Sequence, residues 1–334
     1  MIAIHFEKGN NFSGYWKDYC EKASIDYKVV SCYDSDIIEQ LKDCKALLWH
    51  VNHFNYKDQI FAKYLINALD NKDIRVFPNQ HTLWHFDDKV AQKYLLESVD
   101  APLVKSFVFY NKESAIEYID KAIFPKVFKL RKGSGSRNVI LVNNRHQALK
   151  LMNKAFGKGF PVWDMTSVLK ERFRKFKLGK ESFFGLVKGF VRIFIGTPFT
   201  RMSSKEKGYI YFQDFMPNNK FDQRIIVVGD KAFALKRMVR ENDFRASGSG
   251  SFFYDKDSID LECLKISFET SQKLKFQSMA YDFVYDEKGV PKIVEVSYGF
   301  NPKAYDSCPG YWDSEMTWHD KPVTPQKWML QDLL

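Results

Sequence analysis

The chain has 334 residues, 45% of them apolar, and 51 Lys and Arg against 41 Asp and Glu give a formal net charge of +10. That apolar share supports a sizeable buried core and excludes general disorder. Positive charge with thirty Phe, seventeen Tyr and seven Trp suits an anionic partner. The basic residues are nevertheless spread along the chain without zinc-finger or helix-turn-helix signals, so nucleic acid is not expected as the main partner.

The five cysteines, Cys20, Cys32, Cys44, Cys263 and Cys308, are odd in number and lack Cys-x-x-Cys spacing, which suits a reducing cytoplasm. The apolar run Met1–Phe6 is too short for a signal peptide, and no stretch reaches the length of a membrane span.

Strand signals at Ile2–Phe6, Tyr27–Ser31, Ala46–His50 and Arg75–Pro78 alternate with helical patterns at Asp36–Lys42 and Phe54–Leu69. This predicts a small parallel α/β unit over residues 1–80. The loop expected after the first strand makes Asn11, Ser13, Gly14, Tyr15 and Trp16 candidates for a substrate wall, with a simple turn as the alternative. His81 and His85 have the spacing of a metal pair, but no Glu between them and no third ligand support that role. A helix follows from Asp87-Asp88, whose charges favour its first turn. Pro102–Tyr110 is extended, and Lys112–Lys121 is a short helix.

Phe124–Leu130 and Val139–Asn143 then flank Arg131-Lys132-Gly133-Ser134-Gly135-Ser136-Arg137-Asn138, a hairpin with a flexible basic tip. Two readings are open: a lid whose backbone N–H groups close over phosphate, or an ordinary surface hairpin. It matches neither the P-loop nor the Gly-x-Gly-x-x-Gly dinucleotide turn.

Residues 160–207 have a character of their own. The cationic stretch Lys170–Lys180 precedes the apolar run Phe183–Ile195. Such a segment suits peripheral contact with an anionic membrane at its inner face, a helical arm packed on protein, or a lid over substrate.

Strands are expected at Gly208–Phe215 and in a hairpin from Asp222 to Met238 turning at Gly229-Asp230. Leu261–Leu274 reads as helix, and Ala280–Tyr285 with Pro291–Ser297 as a final hairpin. In that hairpin Asp282 and Glu295 interrupt apolar strands with carboxylates, placed so that they can lie side by side. They are either solvated strand carboxylates or ligands of a divalent cation, for which magnesium fits.

In order and spacing these pieces resemble the ATP-grasp superfamily, particularly its ribosomal-S6-modification-like carboxylate–amine ligases, over residues 80–302. They are Asp88-Lys89, Lys129 before Gly133–Ser136, Gln213-Asp214-Phe215, Asp222-Gln223-Arg224, Asp243-Phe244-Arg245, Asp282 and Glu295-Val296-Ser297. The resemblance implies a mixed α/β fold with a small subdomain at 81–207, a metal-bearing subdomain at 208–302, and an aromatic tail at 303–334. It implies ATP and Mg2+, with Lys89 and Lys129 on phosphates, Gly133, Ser134, Gly135 and Ser136 as lid, and Gln213, Asp214 and Phe215 at the adenine. Asp222 would face the ribose, Arg224 and Arg245 the transferred phosphate or substrate carboxylate, and Asp282, Glu295 and Ser297 the metal. Ser297 stands where the family pattern has Asn, which puts a second metal in question, with Asn301 as a substitute donor. Asp214 replaces a Glu, and Ser247 an Asn.

The implied reaction converts a carboxylate to an acyl phosphate and joins it to an amine. A small-molecule kinase and a non-catalytic nucleotide-responsive protein are the alternatives. The aromatic tail, with Trp312, Trp318 and Trp328, suits either stacking on an acidic sugar, as in surface-polysaccharide enzymes, or docking on the core, and an amino-acid or peptide ligase stands as the equal alternative to an acidic-glycan one. Cys308 has no paired base and is expected to be structural. A homodimer accords with the fold.

Overall fold

A computed structural model describes residues 1–9, 12–133, 138–162, 204–240, 243–246 and 250–334, with 173, 176, 182, 184 and 202. The described chain divides into two compact units, one formed by 1–86, 91–103 and 216–334, the other by 87–90 and 104–215.

In the first unit, β1 (Ile2–His5), β2 (Tyr27–Val30), β3 (Ala46–Trp49) and β4 (Arg75–Phe77) form the expected parallel sheet in the order β2-β1-β3-β4. β1 and β3 are buried throughout, as strands covered on both faces must be. The expected helix at 54–69 runs from Tyr56 to Leu69, because Asn55 caps it by accepting from Lys57 N at 3.1 Å. The one at 36–42 is a single turn, Ile37–Gln40. The loop expected at Ser13–Trp16 is instead the start of helix Phe12–Lys22, and fully buried Trp16 belongs to the core. The substrate-wall assignment of Trp16 therefore fails, while Asn11 lies outside the described residues.

The second unit holds the sheet β5 (Ser106–Phe109), β6 (Lys126–Lys129), β7 (Ile140–Val142) and β8 (Ile210–Asp214), antiparallel in the order β5-β8-β6-β7. Helices Lys112–Lys121 and Arg145–Ala155 bury Ala115, Ile119, Ala148 and Met152 in its core. Asn111 and Asn144 cap these helices by accepting from Ser114 N and Gln147 N. Phe160 and Glu206 exchange backbone hydrogen bonds at 2.9 Å, so the intervening segment leaves and returns at one point.

The large sheet of the first unit contains β9 (Phe221–Val228), β10 (Lys231–Met238), β11 (Phe252–Phe253), β12 (Ser278–Tyr285), β13 (Pro291–Ser297), β14 (Tyr311–Asp313) and β15 (Trp318–His319). Its main path is β13-β12-β9-β10-β14-β15, with β11 on β10. The β9–β10 turn needs its glycine: Gly229 has φ +57°, and a Cβ there would meet Asp332 Oδ2 at 2.6 Å. The 303–334 segment docks on this core. Trp312 in β14 and Trp328 in helix Pro325–Gln331 are buried, packing with Phe233, Phe300 and Tyr298 in one cluster shared with the parallel sheet.

Candidate functional site

In the second unit the expected nucleotide residues fall into two linked groups. β6 and β8 pair with Lys129 opposite Tyr211, which puts Gln213 diagonally across from Lys129 on the same face. The Lys129 ammonium donates to Gln213 Oε1 at 2.6 Å, and Gln213 Nε2 donates to Ser106 Oγ at 3.1 Å. All three side chains are buried, so the lysine's direction is fixed by a satisfied network. Lys126, beside them, donates to Asp214 at 2.6 Å, and Phe215 follows β8, half-buried.

The second group gathers at helix Lys89–Glu97. Asp88 Oδ1 accepts from Val90 N at 3.1 Å, as a residue before a helix does for its exposed donors. Lys89 N donates to Arg131 O at 3.0 Å, and Lys89 Nζ to Gly133 O at 2.8 Å. Gly133 N in turn donates to Asp87 Oδ1 at 3.1 Å. The root of the predicted lid is thus tied by three bonds to the helix that carries Lys89. Ser134, Gly135 and Ser136 lie outside the described residues.

In the first unit, register assembles the acidic residues. Arg224 of β9, Asp282 of β12 and Glu295 of β13 stand opposite one another in a single row across three strands. Arg224 Nε and Nη2 donate to Asp282 Oδ1 and Oδ2 at 2.6 and 2.8 Å. Arg237 of β10, opposite Asp222 in register, donates to both Asp222 oxygens at 2.7 and 2.6 Å and lies 2.9 Å from Asp282 Oδ1. Burial raises the Asp282 carboxyl, but the Arg224 and Arg237 guanidinium groups outweigh it and hold the group well below the ordinary carboxylate range. Arg237 was missing from the sequence reading. The signal was available, since it lies opposite Asp222 once the two-residue turn at 229–230 fixes the hairpin.

Asp222 and Gln213 are more engaged than expected. Both Asp222 oxygens accept from Arg237, and both ends of the Gln213 amide are used internally. A ribose contact by Asp222 would have to use the lone pairs that Arg237 leaves on those oxygens. Arg245 pairs with Asp243 at 2.6 Å. Ser297 Oγ donates to Gly299 O at 3.0 Å, which leaves its lone pairs as the oxygen available to a cation. Among the described residues no group of three or more His, Cys, Asp or Glu gathers as a metal site. Asp282 and Glu295 stand opposite in register, but Asp282 is already bound by Arg224 and Arg237, so a cation there would share its carboxylate with two guanidinium groups. Magnesium commonly takes one or two carboxylates and completes its shell with water and phosphate oxygens.

A further polar group was not legible in the sequence. Strand order reverses between β1 and β3, and ligands in such sheets bind outside the carboxyl ends at that reversal. There Asn55 Nδ2 donates to Glu7 Oε1 at 2.6 Å, and Tyr33 Oη donates to Asp58 Oδ1 at 2.5 Å and sits 3.2 Å from Glu7. Burial pushes the Asp58 carboxyl up to about 6. His50 Nδ1 accepts from Phe12 N at 2.9 Å, and burial lowers the ring to about 3, so the neutral imidazole carries its proton on Nε2. That nitrogen lies 4.0 Å from where a Cβ on Gly299 would stand. His50 thus borders the loop after Glu295 and Ser297.

His81 and His85 form no metal pair: His85 is fully buried, its ring against Phe276 at 5.1 Å, while His81 is exposed. Cys308 is buried with its thiol pushed up to about 12, as a structural cysteine should be. Among the described residues no helix is long and apolar enough to cross a membrane. Ser247 and nearly all of the 183–195 segment lie outside the described residues.

No family model matches the chain. Over 129 residues it is 26% identical to the alpha-aminoadipate–LysW ligase LysX of Saccharolobus solfataricus, a match covering 37% of this chain and 46% of that protein. The chain is thus matched over less than half of that relative's length. The RimK domain protein ATP-grasp of Sphaerobacter thermophilus superposes with a TM-score of 0.54 at 15% identity, over 88% of this chain and 89% of that one. The biotin carboxylase domain of Hydrogenobacter thermophilus 2-oxoglutarate carboxylase, solved with MgADP, ADP and bicarbonate, gives 0.60 at 12% identity, over 99% and 69%. Identities this low speak to architecture, and with the parallel and antiparallel sheets described above they establish that this chain has the ATP-grasp fold.

Proposed function

We propose that the protein is an ATP-dependent carboxylate–amine ligase. The observation that carries this reading is the row Arg224–Asp282–Glu295, which puts a fixed guanidinium beside two hard-ligand carboxylates. The buried and directed Lys129 and Lys89 supply the phosphate-binding cations.

In this reading Lys89 and Lys129 bind ATP phosphates and Gly133–Ser136 cover them. The strand end at Gln213, Asp214 and Phe215 meets the adenine through its backbone, with the Gln213 side chain aiming Lys129. Asp282, Glu295 and Ser297 would hold magnesium, which would neutralise charge on the phosphate oxygens. A substrate carboxylate oxygen attacks the γ-phosphorus and ADP leaves. The amine then attacks the acyl carbon, phosphate departs with the carboxylate oxygen, and the amine releases a proton. Arg224 and Arg245 orient carboxylate and phosphate, and Arg237 holds Asp222 and Asp282 together, Asp282 in turn holding Arg224. No enzyme nucleophile is required.

The polar group at the β1/β3 reversal supports an acceptor of amino-acid or amine type, since Glu7 and the His50 Nε2 proton offer a partner for an ammonium and for a carboxylate. An acidic-sugar acceptor has less support, because Trp312 and Trp328 are spent in the core. A screen of amino acids and acidic sugars against a panel of amines, reading ADP release with mass spectrometry of the product, tests the proposal. A ligase gives an amide and a hydroxylamine-trappable acyl phosphate. A stable phosphorylated product formed without amine identifies a kinase instead.

A further inference from the structure

Helix Tyr56–Leu69 buries one stripe, Asp58, Ala62, Ile66 and Leu69, against the parallel sheet. Its opposite stripe should be charged, as the solvent face of a surface helix ordinarily is. Instead Ile60, Phe61 and Tyr64 stand there at 42, 50 and 73% exposure, with Asn67 and Ala68 continuing the face and no charge in its centre. Trp84, 40% exposed, is held alongside because Lys63 Nζ donates to its carbonyl at 2.6 Å. Phe54, 44% exposed, extends the patch just before the helix.

We propose that this face is a two-fold interface with a second copy of the chain. Area is the first argument. At roughly 200 Å² for an aromatic side chain, the exposed parts of Phe54, Phe61, Tyr64 and Trp84 with Ile60 come to on the order of 450 Å². A standard interface buries about 800 Å² on each side, a little over half of it apolar, so the patch supplies the apolar share that one partner needs. Self-complementarity is the second. A two-fold interface must be complementary to itself. Antiparallel pairing of the helix with its copy about Phe61 and Tyr64 stacks the apolar centres. It also sets exposed Lys57, at one end, toward the opposite end, where exposed Asp70 and Asp73 flank exposed Lys72 and leave a net negative charge. Parallel pairing would oppose Lys57 to Lys57.

The test is sedimentation velocity of the full chain at about 5 and 50 µM, with circular dichroism and a thermal melt on every variant. A two-chain species is expected for the unchanged protein. Tyr64→Lys and Tyr64→Glu should each sediment as single chains with unchanged melts, since Tyr64 makes no core contact. Mixing the two should restore a two-chain species, because the opposed charges then meet across the axis. A single-chain protein at 50 µM overturns the proposal. So does a dimer that survives both substitutions, or a mixture that stays monomeric while each variant remains folded. These readings are independent of ATP turnover, so they stand apart from the fate of the ligase assignment.

Discussion

Arg224 grips Asp282 through both carboxylate oxygens, at 2.6 and 2.8 Å, from the adjacent strand of the same sheet. Arg237 reaches the same carboxylate from the other side of Arg224's strand, so one acidic side chain is shared by a buried and a half-buried cation. Removing a partner from such a set leaves an uncompensated buried charge, at a cost of about 3–5 kcal/mol. Asp282→Asn is therefore expected to lower the urea midpoint strongly as well as to abolish ADP release. Asp282→Asn combined with Arg224→Met should recover a large part of the stability and none of the activity. A single mutant with unchanged stability would show that the pair carries little of the sheet's cohesion.

Lys129→Met keeps the length of the side chain while deleting its charge. Gln213 then loses its donor, which costs about 1–3 kcal/mol for a buried acceptor left unpaired. ADP formation should fall by about 100-fold or more, the scale of losing one donor to developing charge. Equilibrium titration with ATP, monitored by tryptophan fluorescence, should weaken in parallel. Unimpaired nucleotide binding in a folded Lys129→Met protein removes this residue from the phosphate site.

Ser297→Asn adds an oxygen donor that reaches further from β13, at the loss of the Ser297 bond to Gly299 O. If Ser297 faces the metal, the magnesium concentration for half-maximal ADP release should drop by several-fold, while Glu295→Gln raises it or eliminates turnover. An unchanged magnesium dependence in both variants speaks against metal binding on this strand.

His85 is fully buried, and burial lowers its ring to about 3. Because the folded value lies below the unfolded one near 6.5, its contribution to stability is fully present above pH 6.5 and is lost as the pH falls toward 3. Between pH 7 and 5 this amounts to about 2 kcal/mol. His85→Leu should therefore flatten the acid side of the stability curve by that amount. Denaturant midpoints at pH 7, 6 and 5 provide the measurement, and equal slopes for both proteins refute it.

Asp58 works in the opposite sense. Its carboxyl is raised by burial to about 6, so its stabilising contribution is present below pH 4 and is lost as the pH rises through 6. In Asp58→Asn the single amide oxygen can accept from Asn52 N while the amide NH2 donates to Tyr33 Oη, whose own proton turns to Glu7, and the variant should gain on the order of 2 kcal/mol over the unchanged protein between pH 4 and 7. Thermal melts at those two pH values decide the matter.

The amino-acid order alone determined most of the strands, their approximate limits and the two hairpins that matter, but not the short β11, β14 and β15. β-branched and aromatic runs, a Gly-Asp turn and capping Asn or Asp residues are local signals; counting back from the last turn brings Asp282 near Glu295, but only the bulge between Asp282 and Phe283 sets the two directly opposite. Local order pairs Arg237 with Asp222 across the β9–β10 turn, but it could not show that Asp282 joins them from β12, or that the Gln213 amide is engaged by Lys129 and Ser106. It also misplaced Trp16, since a Gly-containing segment read as loop becomes helix once Phe12 and Trp16 have a core to fill. The sequence left the tail's tryptophans divided between sugar stacking and docking, and tertiary packing assigned Trp312 and Trp328 to docking by closing β14 onto β10. The His50 tautomer and the bare apolar face of helix Tyr56–Leu69 likewise depend on what the rest of the fold places beside them, because burial and partnership belong to neighbours distant in the chain.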